Sequence, residues 1–267
     1  MGSTPEIARD VLENLAATGI NHFTTAQFAA HLGRPVSATH RALDRLRSKK
    51  LVATPYPGFH VSIRDPEYRP FGCLPPEQWV PQLMEHLGRS YYVGFLSAGR
   101  WHGAAHQKPM VFQVVVPQAM RDITCGRVRV DFITRGNAAQ IPTELRKTPR
   151  GFFKISTPEA TAFDLVGYPL HAGGLSNAAT VLTELGESID AQKLVDVAPL
   201  SPVAWAQRLG YILDLLEDTS HLTGPLAQFV AANTYRYVPL RVRKPHEDAA
   251  RDTRWKILVN TEIEPDL

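Results

Sequence analysis

Apolar positions fall into helical and strand periods from the start of the chain. In PEIARDVLENLAAT (5–18), Ile7, Val11, Leu12 and Leu15 recur at helical spacing, with Pro5 suited to the first turn and Gly19 to the stop. In FTTAQFAAHLG, Thr24 and Gln27 have capping-box spacing, in which each side chain accepts from the other residue's backbone N–H. A short helix from about Thr25 to Leu32, ended by Gly33, is predicted there. Pro35 opens a third helix, VSATHRALDRLRSKK, with Val36, Leu43 and Leu46 facing inward and Ala42 beside them. Leu51–Ala53 and Phe59–Ile63 read as two short strands around a turn of Tyr56, Pro57 and Gly58.

Helix, helix, turn, helix, β-hairpin is the order of a winged helix-turn-helix, whose third helix enters a major groove. On that helix Ser37, Arg41, Arg45 and Ser48 share a face, with His40 and Asp44 also outward. Short polar and arginine side chains there can reach base edges, so Ser37, His40, Arg41 and Arg45 are the expected base readers. Arg34, Arg47, Lys49 and Lys50, with Tyr56 and His60 of the wing, are expected on the phosphate backbone. Charge supports this. Residues 1–64 hold eight Lys/Arg against four Asp/Glu (net +4), leaving 21 against 22 in the rest, although the whole chain is only +3. A polyanion-binding module on a near-neutral body has this asymmetry.

The 267-residue length suggests two domains, since a single core stops growing at roughly 250–300 residues. Residues 64–78 carry Pro66, Pro70, Pro75 and Pro76, so the expected division is 1–64 winged domain, 65–78 linker and 79–267 body. In the body, a helix is expected near Trp79–Leu87. In YYVGFLSAGRWHGAAH a second follows, with Tyr92, Phe95, Leu96, Gly99 and Ala104 on a buried face whose small residues allow packing on a sheet. Residues 110–116, 127–134 and 152–156 read as strands. The next helix begins either with Thr157 as N-cap and Pro158 at the first position, or with a Ser156/Glu159 capping box. Helices are expected over 175–186, 190–197, 202–217 and 225–232, and a last strand over Trp255–Asn260. Strands and helices in separate blocks make the class α+β.

The N-terminus has no basic-then-apolar leader and no run of 18 apolar residues occurs, so a cytoplasmic protein without membrane contact is expected. Cys73 and Cys125, 52 residues apart, read as two reduced thiols. Neither a Walker loop, nor a G-x-S-x-G, nor a dinucleotide-binding glycine pattern is present, and no cofactor or metal is expected. His102 and His106 have one-face helical spacing, but Gly103 stands where a metalloprotease motif needs Glu, and a third ligand is not evident. Gly173-Gly174 reads as a turn before the next helix. Asp131 is a lone strand carboxylate. Arg127 and Arg129, alternating with Val128 and Val130, either extend a DNA-facing surface or form the polar face of a half-exposed strand.

Together the winged N-terminus, YYVGFLSAGRWHGAAHQKP (91–109), FQVVV (112–116), FKISTPEATAFDLV (153–166) and VNTEIEPDL (259–267) resemble the AbiEi family of bacterial antitoxins, the transcriptional regulators of type IV abortive-infection toxin–antitoxin systems. The resemblance spans nearly the whole chain. It implies no enzymatic activity and no catalytic residues. It implies a repressor that binds inverted repeats in the double-stranded promoter DNA of its own operon. It also implies that the C-terminal domain counteracts a nucleotidyltransferase-like toxin. The near-neutral charge of residues 65–267 departs from relatives with a basic C-terminal surface. Two other readings stay open: a nucleic-acid-processing enzyme built on Asp131, His102 and His106 with a winged targeting domain, and a winged domain that binds protein.

Overall fold

A computed structural model describes residues 4–104 and 110–265. Contacts gather the chain into two compact units. One holds residues up to Tyr91 with 110–134 and 145–153; the other holds 92–109, 135–144 and 154 onward.

The first unit begins with α1 (Thr4–Ala17), β1 (His22–Thr24), α2 (Thr25–Leu32), α3 (Val36–Ser48), β2 (Val52–Tyr56) and β3 (Phe59–Ser62). The three strands form an antiparallel sheet with β3 in the middle. β1 was not expected: three residues carry too little periodicity to announce a strand. Leu12, Leu15, Phe23, Phe28, Leu43 and Leu46 make a core between the helices and this sheet. Thr39, fully buried, takes an inward place on α3, whereas Val36, expected inward, is 46% exposed at the helix start.

All four residues of β3 are buried, because the sheet carries a second core on its other face. There Phe59, Val61 and Ile63 pack with Cys73, Leu74, Trp79 and Met84. Residues 65–78 are therefore not a solvated spacer. Their prolines set two 3₁₀ turns, Pro66–Phe71 and Pro76–Gln78, and Cys73, Leu74 and Trp79 are fully buried. Proline density signalled broken helix correctly; the first turn stays at the surface, while Cys73, Leu74 and Gln78 are packed. α4 (Val80–His86) continues this core.

The chain then contributes β4 (Tyr92–Val93) and α5 (Phe95–Trp101) to the second unit and returns to the first for β5 (Phe112–Val116), β6 (Ile123–Cys125) and β7 (Val128–Thr134). β5 runs parallel and β6 antiparallel to β7. Gly126 has φ +60°, and a Cβ there would lie 2.1 Å from Phe71 O, so the 3₁₀ segment and β6 meet backbone to backbone. Arg127 N–H donates to Phe71 O at 2.8 Å. Cys73 and Cys125 are free and buried; the hydrogen bond between them, with burial, pushes the Cys73 thiol up. The hairpin of β8 (Thr143–Thr148) and β9 (Gly151–Ser156) straddles the division between units.

In the second unit β4 pairs in parallel with β9 at Val93 and Ile155. α6 (Pro158–Gly167) is the central helix, with Glu159–Val166 all buried. Thr157 is its cap, accepting from Ala160 N–H at 3.3 Å. The Ser156 hydroxyl instead meets Thr161 Oγ1 at 2.7 Å, which decides between the two predicted starts. Around α6 lie α5, α7 (Leu175–Leu185), α8 (Ala191–Val197) and α9 (Val203–Leu215), with α10 (Thr223–Asn233) packed on α8 and α9, followed by a small sheet of β10 (Val238–Pro239), β11 (Ala250–Asp252) and β12 (Ile257–Val259). The small residues of α5 serve a helix contact: a Cβ on Gly99 would lie 3.0 Å from Val181 Cγ1 of α7. Tyr92 is buried as expected, but on a strand, and Ala104 lies past the helix end.

At the heart of this unit Arg135 donates to Asp164 Oδ1 at 2.5 Å, Leu200 O at 3.0 Å and Ser201 Oγ at 2.8 Å. Its guanidinium lies 5.2 Å from the centre of the Trp205 ring. Tyr92 donates to the other Asp164 oxygen at 2.9 Å. Burial pushes the Asp164 carboxyl up to about 6, against the pull of Arg135 and Tyr92.

Candidate nucleic-acid interface

The α2–α3 turn is fixed by local chemistry. Thr24 Oγ1 accepts from Gln27 N–H at 3.1 Å and Gln27 Oε1 accepts from Thr24 N–H at 2.7 Å, the reciprocal capping box the spacing predicted. At the other end Gly33 is left-handed (φ 61°). Its N–H reaches Ala30 O, and Arg34 N–H reaches Ala29 O, closing α2 with a Schellman motif. Two residues later Pro35 starts α3. The stripe Thr39, Ala42, Leu43 and Leu46 anchors α3 on the core, so the opposite face is left to solvent.

That face holds Ser37, His40, Arg41, Asp44, Arg45 and Ser48, all exposed. Arg34, Ser37, Arg41 and Arg45, with Ala38 and Ala42, line a groove of about 460 Å³ with no acidic residue in its lining. Asp44, the one carboxylate of α3, is engaged by Arg47. Arg41 and Arg45 have no acidic partner among the described residues. Low-dielectric walls lined by a single sign of charge focus a positive field on this groove. His40 lies outside the groove lining. Lys49 and Lys50 are exposed at the end of α3, where Lys50 takes the left-handed conformation (φ 55°) and Leu51 N–H returns to Leu46 O at 3.0 Å.

The wing divides its two expected contacts. Tyr56 ends β2 half-buried beside the Pro57-Gly58 turn. His60 is internal, only 4% exposed, which corrects its expected place on a phosphate. Its Nε2 lies 2.9 Å from Thr25 Oγ1 and its Nδ1 2.9 Å from Thr54 Oγ1, and it packs on Phe23. Burial, then the charges of Arg47 and His40, push its pKa down to about 4. His60 alternates with Phe59 and Val61, so its side of the strand reads as solvent-facing until the helical core covers that side too. Thr25 and Thr54 were missed as supports for the same reason: each is a polar residue whose partner, His60, becomes internal only in the fold.

The other sequence candidates resolve separately. His102, past the end of α5, donates from Nε2 to Ser156 O at 2.8 Å and places Nδ1 3.4 Å from Glu144 Oε1, a hydrogen-bonded structural histidine. His106 lies outside the described residues. Asp131 is half-buried in the middle of β7. No group of three His, Cys, Asp or Glu side chains placed to hold a metal occurs among the described residues. Arg127 and Arg129 are exposed while Val130 is buried, the alternation of a half-exposed strand. Gly173 and Gly174 form the turn before α7, as expected. No helix among the described residues is long and apolar enough to cross a membrane.

Residues 92–215 match a family described as the AbiEi antitoxin C-terminal domain. The match begins at the residue where the second unit begins. No curated protein sequence matches the chain. The crystal structure of the RV2827C protein from Mycobacterium tuberculosis is similar with a TM-score of 0.64 at 16% sequence identity, covering 96% of this chain and 92% of that one. The similarity establishes a shared fold over both units.

Proposed function

From the AbiEi antitoxin domain that this chain carries, we propose that the protein is a cytoplasmic, non-enzymatic antitoxin that binds and represses the promoter of its own toxin–antitoxin operon. The carrying observation is the α3 groove, where Arg34, Ser37, Arg41 and Arg45 converge with no carboxylate among them. A helix of 13 residues anchored on its core by one face and cationic along the other suits a major groove about 12 Å wide. In this reading Ser37, His40, Arg41 and Arg45 meet base edges. Arg34, Arg47, Lys49, Lys50 and Tyr56 hold phosphates. His60 acts indirectly, fixing the wing to the start of α2 through Thr54 and Thr25. Two copies on an inverted repeat would match a two-fold operator. The second unit counteracts a nucleotidyltransferase-like toxin.

The reading is tested by a promoter–reporter assay combined with footprinting of the DNA upstream of the gene. Repression by the wild type with protection of paired half-sites is expected, and relief of repression by Arg41→Ala plus Arg45→Ala. Undiminished repression by that double variant would overturn the assignment of α3. For the toxin arm, co-expression with the neighbouring nucleotidyltransferase-like reading frame should restore growth, and growth arrest despite co-expression would contradict it.

A further inference from the structure

Arg208 of α9 is only 9% exposed. Its Nε donates to Pro239 O at 3.2 Å. Its terminal amino groups have no hydrogen-bond or carboxylate partner among the described residues. Burial lowers its pKa, and no neighbouring acid offsets that. Arg135 in the same unit has Asp164 for company; Arg208 has nothing comparable. A guanidinium stays protonated, and a buried charge without a counter-charge is costly.

Arg208 lines a cleft of about 690 Å³ inside the second unit. The N-terminus of α7, an 11-residue helix, opens into the same cleft. Gly173 (φ +76°) and Gly174 (φ +103°) bring the chain into that helix through backbone shapes other residues rarely take. Gly174 stands at the N-cap with no side chain to cap the first amides, so they are left for an anion. Arg241 and Arg243 line the cleft as exposed residues, against a single carboxylate, Glu262. Tyr168, Leu240 and Ile263 add apolar wall. The volume is that of a site for a small organic ligand.

We propose that this cleft binds a phosphate-bearing small molecule of about nucleotide size, with its phosphate between the Arg208 guanidinium and the first amides of α7, and with Arg241 and Arg243 at the mouth. The lining residues all belong to the second unit, so the site gives that unit a ligand of its own. Occupancy supplies the counter-charge that Arg208 lacks, so the ligand also stabilises this unit.

Calorimetric titration of the full chain with inorganic pyrophosphate, ADP and adenosine tests this, together with unfolding midpoints. Saturable binding of pyrophosphate and ADP, but not adenosine, is expected, with a raised midpoint. Arg208→Gln should weaken both by about tenfold or more, as expected for a lost charge-assisted hydrogen bond. Because Arg208 is buried, Arg243→Ala serves as the exposed counterpart, weakening binding several-fold at an unchanged midpoint. The Arg41→Ala, Arg45→Ala double variant should bind the anions as the wild type does. Absence of saturable binding, binding unchanged in both Arg208→Gln and Arg243→Ala, or loss of binding in the α3 double variant instead, would each overturn the proposal.

Discussion

Arg41 and Arg45 on α3 and Arg135 in the second unit are the same side chain put to opposite uses. Arg135 is 4% exposed and has its guanidinium answered by Asn137 at Nε and by Asp164, Leu200 O, Ser201 and the Trp205 ring. The α3 arginines are exposed, and the nearby carboxylate, Asp44, is already engaged by Arg47. A buried arginine whose charge is neutralised within the fold acts on stability. One whose charge is left over acts on something outside. Arg208 is the intermediate case: buried like Arg135, yet without a counter-charge like the α3 pair.

The largest effect that would break this contrast concerns Arg135. Its replacement by Ala leaves Asp164 buried without a counter-charge, and should cost about 3–5 kcal/mol of stability, read by chemical denaturation. A loss below 1 kcal/mol would mean the network is not what holds the second unit. Arg41→Ala should do the reverse. It should weaken promoter binding by about 1–3 kcal/mol in a gel-shift titration, while the unfolding midpoint moves within the small range typical of surface substitutions. A destabilised Arg41→Ala would place that residue with Arg135.

Support beneath the groove can be probed through Thr24. Thr24→Ala removes the reciprocal cap of α2 and should lower stability by about 1 kcal/mol, with hydrogen exchange increased in α2 before the second unit.

A gentler perturbation is pH, because the two units carry titrating groups of opposite sign. His60 is held near 4, below its ordinary 6.5. As pH falls from 6.5 toward 4 the unfolded chain takes a proton that the folded wing refuses, and the wing loses stability. Asp164 is held near 6, above its ordinary 3.8. Between those values the folded state takes the proton first, so this site gains stability as pH falls. Hydrogen exchange resolved by segment should therefore show the wing loosening relative to the second unit between pH 7 and pH 5. His60→Gln should flatten the first trend and Asp164→Asn the second.

Much of the first unit was legible because its signals are local. Thr24 and Gln27, Gly33 and Pro35 each act within a few residues, and each stands where its spacing placed it. Thr157 is the same kind of signal in the second unit. What sequence did not disclose depends on partners far along the chain. β6 and β8 exist by pairing rather than by periodicity, Cys73 and Leu74 of the 65–78 segment are buried because they share a core with Trp79 and β6, and His60 is internal because a core lies on each face of β3. The candidate interface was legible in Ser37, Arg41 and Arg45, whose one-face spacing is a property of any helix. The Arg135–Asp164–Tyr92 network and the burial of Arg208 without a counter-charge were not, since neither involves residues close in sequence.

If the α3 arginines meet a nucleic-acid duplex, promoter affinity depends steeply on salt. For the full chain, log K should fall linearly with log salt, with a slope of about −0.9 per phosphate neutralised. Removing Lys49 and Lys50 together should make that slope shallower by about 2. The Arg41→Ala, Arg45→Ala double variant should reduce promoter affinity to that for unrelated DNA. Binding that ignores salt, or a double variant that still prefers the promoter, would mean that α3 does not read the duplex.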